Sequence, residues 1–275
     1  MVSARVIRNL KKEFRNSALA KIGLLLVVGI LFTAAFAPFI APHDPTEQQL
    51  DQSELPPLGF SETTERTTSQ MVEGEIQTVT ETVEVTPDAA HPLGTDSLGR
   101  DMLSRIIYGA RTSLVVGVLG TLLAAFVGVP VGLFAGYHRG NVDDVLMRIA
   151  DVSLAFPSLV LAVALIGLWG RAAVNIPDPF VVAGLAPEMP ESFVLPITVV
   201  IVVGLVNWVW FARVARGEAL SLRGQEYVKA SRALGADDTS IIWNHVLPNA
   251  ITPIIVLATV QVAAIILLES SLSFL

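Results

Sequence analysis

The stretch RVARGEALSLRGQEYVKASRALGADDTSIIWNHVLPN, Arg213–Asn249, stands between two strongly apolar runs. Tyr227 to Leu234 reads as a short helix, and Gly235 suits the left-handed conformation that ends one. Asp237, Asp238 or Thr239 can cap a second helix, which Pro248 is expected to stop. Two short helices around a glycine, hung from apolar spans, have the form of a connector to a soluble partner. The bland alternative is an amphipathic helix pair lying in the membrane interface.

Working outward, the 275 residues are 52% hydrophobic and only 16% charged, with a mean hydropathy of +0.62. That is too apolar for a soluble domain of this size. About 20 apolar residues suffice to cross a bilayer as a helix. Five candidate spans meet that test: Ile22–Ile40, Ser113–Tyr137, Ile149–Trp169, Val194–Phe211 and Ile251–Leu268. A buried core helix could explain any one of them, but not five joined by polar segments. A long basic stretch precedes the first span and Ala-Pro-Phe-Ile-Ala-Pro closes it, so it reads as an uncleaved span and not a signal peptide. The chain has no cysteine, which excludes disulfides, thiolate metal sites and a cysteine nucleophile.

Basic residues set the expected orientation. Arg5, Arg8, Lys11, Lys12, Arg15 and Lys21 precede the first span against a single acid, Glu13. Between Ala41 and Ala90 there are eleven acids and one base, Arg66. The N-terminus is therefore expected in the cytoplasm and this acidic segment outside. Alternation then puts residues 137–148 inside, 170–192 outside and 213–249 inside. Arg213, Arg216, Arg223, Lys229 and Arg232 agree with that placement. Arg100, Arg105 and Arg111 fall on the outer side. Their spacing with Leu103, Ile106 and Ile107 suits a helix lying in the outer interface.

The expected organisation is a cytoplasmic basic tail over residues 1–21, a first span over 22–40, and an external segment over 41–112. A core over 113–275 carries the 213–249 loop. Within the external segment, Val79, Glu81, Val83 and Val85 follow a period of two. Thr67 to Val72 could pair with them across Glu73-Gly74. The segment is thus either a small β-hairpin or a disordered acidic linker.

Gly128, Gly132 and Gly136 recur every fourth residue on the second span, a spacing that lets helices approach closely. Packing within the chain is preferred over a subunit interface. Pro130 and Pro157 fall inside predicted spans and are expected to kink them. Asn207 and Gln261 are polar at depth, so they are candidates for lining a pathway or cross-linking helices. Glu269 lies near the outer end of the last span and Asp151 near the start of the third. No chain of buried acids and histidines suggests proton coupling.

Enzyme signatures are missing: there is no G-x-x-x-x-G-K-[ST], H-E-x-x-H or G-x-S-x-G. The histidines His43, His91, His138 and His245 are scattered over loops on both sides, which speaks against a metal site. Nothing points to nucleic acid.

The loop resembles the signature of permease subunits of binding-protein-dependent ABC importers, Glu-Ala-Ala, then Gly, then Ile-x-Leu-Pro. The matching residues are Lys229-Ala230-Ser231, Gly235 and His245-Val246-Leu247-Pro248. Lys229, Ser231 and His245 depart from the pattern, and the nearest acid is Glu226. HPLGTDSLGRDMLSRIIYGARTSL, His91–Leu114, and LAFPSLVLA, Leu154–Ala162, are similar to the dipeptide and oligopeptide branch. The resemblance covers nearly everything from His91 onward, together with the first span.

The resemblance implies an all-α polytopic membrane bundle in the plasma membrane. Five spans are visible, and a sixth is expected beyond Leu-Ser-Phe-Leu. It implies a second homologous permease subunit, two cytoplasmic ATPase subunits holding ATP and magnesium, and an external substrate-binding protein. This chain would hold no cofactor and no catalytic site. Tyr227, Ala230, Ser231, Leu234 and Gly235 would form the face that docks on the ATPase, flanked by Glu226 and Asp237. Peptides, nickel chelates and some oligosaccharides are the substrates of that branch. Two other readings stand beside it: an ion-coupled secondary transporter, and a scaffold that anchors a soluble partner.

Overall fold

A computed structural model describes residues 17–72 and 75–274. Residues 1–16, Glu73, Gly74 and Leu275, together with the side chains of residues 62–84, lie outside the described residues. The chain opens with α1, Ala18–Ala35, capped by the Ser17 hydroxyl, which accepts from the Ala20 N–H at 3.2 Å. It is apolar all round, and Leu24, Leu25, Leu26, Val27 and Val28 are all exposed, as lipid contact requires. A single turn, α2 (Ala37–Ile40), follows.

The acidic insert is a hairpin. Strand β1 (Glu62–Val72) pairs antiparallel with β2 (Glu75–Val85), in register from Glu62 opposite Val85 to Val72 opposite Glu75. The strand alternative for this segment therefore holds, and the pairing starts earlier than Thr67.

Helix α3 spans Met102–His138 without interruption, Pro130 included. At 37 residues it is about 55 Å long, far more than the ~30 Å hydrocarbon core. This corrects the expectation of a separate interfacial helix, because Leu103, Ile106 and Ile107 belong to its first turns. Next come α4 (Gly140–Leu154) and α5 (Ser158–Trp169), bent by 87° at the break between them. The expected continuous third span, Ile149–Trp169, is thus corrected. Pro157 lacks an N–H and drives Phe156 off helical geometry, so it breaks the helix instead of kinking it. The 12 residues of α5 reach only about 18 Å.

Then come β3 (Val174–Pro177), α6 (Pro179–Val182), β4 (Ser192–Leu195) and α7 (Ile197–Leu222). The short helices α8 (Glu226–Ala233) and α9 (Asp238–Ile241) follow, with a π-helical segment, Ile242–Val246, leading into α10 (Leu247–Ser273). Pro248 therefore does not stop the second loop helix, contrary to expectation. It sits in the first turn of α10. The Leu247 N–H reaches back five residues to the Ile242 carbonyl, and that wider turn relieves the crowding a proline ring causes in an α-helix. Among the described residues four helices are long and apolar enough to cross a membrane, or five with the bent pair counted as one.

Contacts divide the chain into two units: Met1–Arg111 with Pro177–Phe193, and Thr112–Ile176 with Val194–Leu275. In the first, the His91–Asp101 block is a knot of turns. Gly94 and Gly99 have φ of +74° and +73°, and a Cβ on either would run into the Leu55 or Gln49 carbonyl. Only glycine fits these positions. Thr95 Oγ1 accepts from the Leu55 N–H at 2.9 Å. Asp96 pairs with both Arg100 and Arg105, and Asp178 with Arg111. All three arginines that run against the charge rule are thus paired with carboxylates. Burial pushes the Asp101 carboxyl up, but hydrogen bonds from Ser104 and the adjoining His91 and His43 rings hold it below the usual carboxylate range.

In the second unit α7 is the hub, packing against α4, α5 and α10. The glycine stripe packs α3 on it: a Cβ at Gly128, Gly132 or Gly136 would meet the backbone of Trp208, Ala212 or Arg216. Each partner also advances by four residues, so the small faces run side by side, and the preferred intrachain packing holds.

Candidate functional site

The second unit builds the 213–249 segment around one buried tyrosine. Tyr137, at the end of α3, is 1% exposed. Its hydroxyl donates to Asp238 Oδ1 at 2.8 Å and accepts from Arg232 Nη2 at 2.6 Å. Arg232 also lies over the ring, 5.3 Å from its centroid. Arg223 donates to the Tyr137 carbonyl at 2.6 Å. One residue thereby holds the end of α7 through its carbonyl and both short helices through its hydroxyl. Val228, Ile241, Ile242 and Val246 are fully buried in the same cluster, with Leu133 and Phe211.

The turn between the short helices closes as its sequence predicts. Gly235 has φ +87°. Its N–H donates to the Arg232 carbonyl at 3.0 Å, and the Ala236 N–H to the Ser231 carbonyl at 3.1 Å. These are the two bonds of a Schellman cap. Asp237 then caps α9, accepting from the Thr239 and Ser240 N–H groups at 3.0 and 3.3 Å. Local chemistry alone fixes where α8 ends and α9 begins.

The expected docking face divides. Tyr227, Ala230, Leu234 and Gly235 are exposed, Leu234 at 89%. Glu226 and Asp237 flank them, with Glu226 paired to Lys229 at 2.9 Å. Ser231 is half-buried, and its Oγ lies 3.1 Å from His245 Nε2. Two of the three departures from the family pattern are therefore bonded to each other. We expect a Ser231→Ala, His245→Ile double-mutant cycle, read by thermal unfolding in detergent, to show coupling of about 0.5–1.5 kcal/mol. Additive losses would show that the contact stabilises nothing.

Below this layer Arg216 forms two bonds to Asp143 on α4, at 2.5 and 2.7 Å, and Arg213 reaches Asp151 at 2.8 Å. The basic residues of the segment thus also clamp α4 to α7. Asn207 donates to the Val203 carbonyl of its own helix at 2.8 Å, so that amide group ties α7 to itself and not to a neighbour. Gln261 is buried, and its Nε2 has no hydrogen-bond partner among the described residues. Glu269 is held by Ser113 and Ser273, each at 3.1 Å. Sequence reasoning misses Tyr137, Arg232 and Asp238 as site residues. The available signal is a tyrosine at the polar end of an apolar run, where a ring can be buried and its hydroxyl still find a partner.

In the first unit the histidines are less scattered than their spacing suggests. The rings of His43 and His91 lie with their centroids 4.5 Å apart, tilted by 31°, and a nitrogen from each gathers with an Asp101 oxygen within 4.8 Å.

The described residues thus form a polytopic helical membrane protein with a capped two-helix loop anchored on its core. Residues 128–275 match the family described as "Binding-protein-dependent transport system inner membrane component". Residues 7–57 match "N-terminal TM domain of oligopeptide transport permease C". The chain is 36% identical over 189 residues to the glutathione transport system permease protein GsiD of Pectobacterium atrosepticum, covering 69% of this chain and 55% of that one. It is 34% identical to the dipeptide transport system permease protein DppC of Bacillus subtilis, covering 96% and 66%. It is 33% identical to the di/tripeptide transport system permease protein DppC of Pseudomonas aeruginosa, covering 96% and 72%. The chain thus spans little more than half the length of the first of these relatives and about seven-tenths of the last. It belongs to the family of inner-membrane components of binding-protein-dependent transport systems, and it is a multi-pass membrane protein.

Proposed function

We propose that this chain forms part of the transmembrane pathway of an ATP-driven importer of short peptides. The observation that carries the reading is the α8–Gly235–α9 unit. Its inner face is locked onto Tyr137, while its outer face leaves Tyr227, Ala230 and Leu234 uncovered. A rigidly held helix with an exposed apolar face suits docking in a groove of a soluble protein. That protein is a cytoplasmic ATPase, two copies of which bind ATP and magnesium. Force on the loop passes through Tyr137 to α3 and through Arg216–Asp143 to α4, so that ATPase closure moves the bundle between outward and inward access. The N-terminus and the loop share the cytoplasmic side. A second homologous permease subunit completes the pathway, and an external binding protein delivers the substrate. The relatives named for glutathione, dipeptides and tripeptides support a short-peptide substrate.

The test is uptake of a labelled dipeptide by proteoliposomes holding the full complex and its binding protein. Accumulation is expected only with ATP and with both ATPase subunits present. Uptake that persists without the ATPases and follows an ion gradient would establish a secondary transporter instead.

A further inference from the structure

We propose that His43, His91 and Asp101 form a binding site for a divalent transition-metal ion of the zinc class, which pins the base of the β-hairpin. All three residues belong to the first unit. His91 Nδ1 lies 3.0 Å from Asp101 Oδ1, and His43 Nδ1 lies 4.0 Å from the same oxygen. In a tetrahedral zinc site neighbouring ligand atoms stand about 3.3 Å apart, so small side-chain rotations bring the three into coordination. Two nitrogens and one carboxylate oxygen, with solvent as the fourth ligand, form a donor set that suits zinc better than calcium or magnesium.

The surrounding hydrogen bonds orient the ligands. His91 Nε2 lies 2.9 Å from Gln52 Oε1. When Nε2 donates there, the Nδ1 lone pair of a neutral imidazole faces the Asp101 carboxylate, and a cation must lie between them. A proton would satisfy only that pair. His43 Nδ1 is buried and has no hydrogen-bond partner among the described residues, and it stands too far from Asp101 for a hydrogen bond. A metal ion satisfies all three atoms together. The other Asp101 oxygen, Oδ2, accepts from the Ser104 N–H at 2.7 Å, and Ser104 Oγ accepts from the His43 N–H at 3.0 Å. These outer contacts hold the carboxylate and the His43 backbone in place, as second partners do at metal sites. In the chain, His43 and Gln52 precede the hairpin, His91 follows it, and Asp101 immediately precedes α3. One ion would therefore tie both roots of the insert to that helix start.

The full chain, without an affinity tag, is purified in detergent, stripped with a chelator and equilibrated with zinc chloride. Bound metal is measured by mass spectrometry and thermal unfolding is followed. One zinc per chain and a raised melting temperature are expected. His43→Ala, whose ring is partly exposed, should keep the helical circular dichroism and lose stoichiometric zinc. Asp101→Asn, which can still cap α3, should do the same. Gln52→Leu should weaken binding by roughly 10- to 100-fold, and affinity should fall with acidity as protons compete for the imidazoles. No stoichiometric zinc in the stripped and refilled protein would overturn the site. It would mean that the Gln52 amide is turned so that its NH2 group donates to His91 Nε2, and that a proton on His91 Nδ1 bonds Asp101. Unchanged zinc affinity in His43→Ala would overturn it equally.

Discussion

Gly132→Val is expected to abolish accumulation of the folded protein in the membrane, while Gly217→Ala leaves it intact. Both are helical glycines in the second unit, so propensity treats them alike. Their surroundings do not. A Cβ on Gly132 would lie on the carbonyl oxygen, carbonyl carbon and Cα of Ala212. All three are backbone atoms, and no rotamer change can move them aside. α3 must separate from α7 along the whole Gly128–Gly136 stripe. Overpacking costs about 1–3 kcal/mol where side chains can yield, and here the loss lies at or above that range. At Gly217 a methyl group would meet nothing within 4 Å, and alanine should add about 0.5–1 kcal/mol there. Membrane yield and detergent melting temperature of the two variants decide the matter. A folded Gly132→Val protein with an unchanged melting temperature would mean that the two helices do not pack as described.

That stripe is legible in the sequence because close approach demands small side chains at a fixed spacing, and few other constraints produce the same pattern. The loop boundaries are legible for a similar reason. Gly235 and Asp237 act through bonds to residues two or three positions away, so their roles are written locally. The hairpin is half legible, since its valines alternate but its charge also suits a solvated coil. The errors have a common origin. A hydropathy window over Ile149–Trp169 registers apolar content and not the break at Phe156-Pro157. Pro248 reads as a stop because a π turn that accommodates it leaves no mark in composition. Tyr137 and the His43–His91–Asp101 cluster depend on chain segments far apart in sequence, and no single-segment pattern announces them. The contact of Ser231 with His245 leaves no local mark either, because the two lie a helix and a turn apart.

The second large effect concerns docking. Gly235→Pro is expected to eliminate association with the ATPase subunits, and Leu234→Asp to weaken it at least about 30-fold, both without loss of membrane insertion. The two variants act by different routes. Proline cannot reach the φ of +87° held by Gly235 and has no N–H for the Arg232 carbonyl. The Schellman cap opens, and α8 and α9 lose their fixed angle. Gly235→Ala should be milder, near the 1–2 kcal/mol cost of a left-handed residue, because nothing lies within 4 Å of its Cβ position. Leu234 is the complementary case. At 89% exposed it contributes little to the folded subunit, and an exposed substitution there should change stability by no more than about 0.5 kcal/mol. If it anchors in an ATPase groove, however, a carboxylate in its place is buried without a partner. Co-purification with the ATPases reads both. Normal recovery with Leu234→Asp would show that this face is not the contact surface. Loss with Leu234→Asp but normal recovery with Gly235→Pro would show that the surface is right and that the angle between the helices does not matter. Loss in both, in order Gly235→Pro then Leu234→Asp then Gly235→Ala, is the result that a rigid, Tyr137-anchored coupling unit requires.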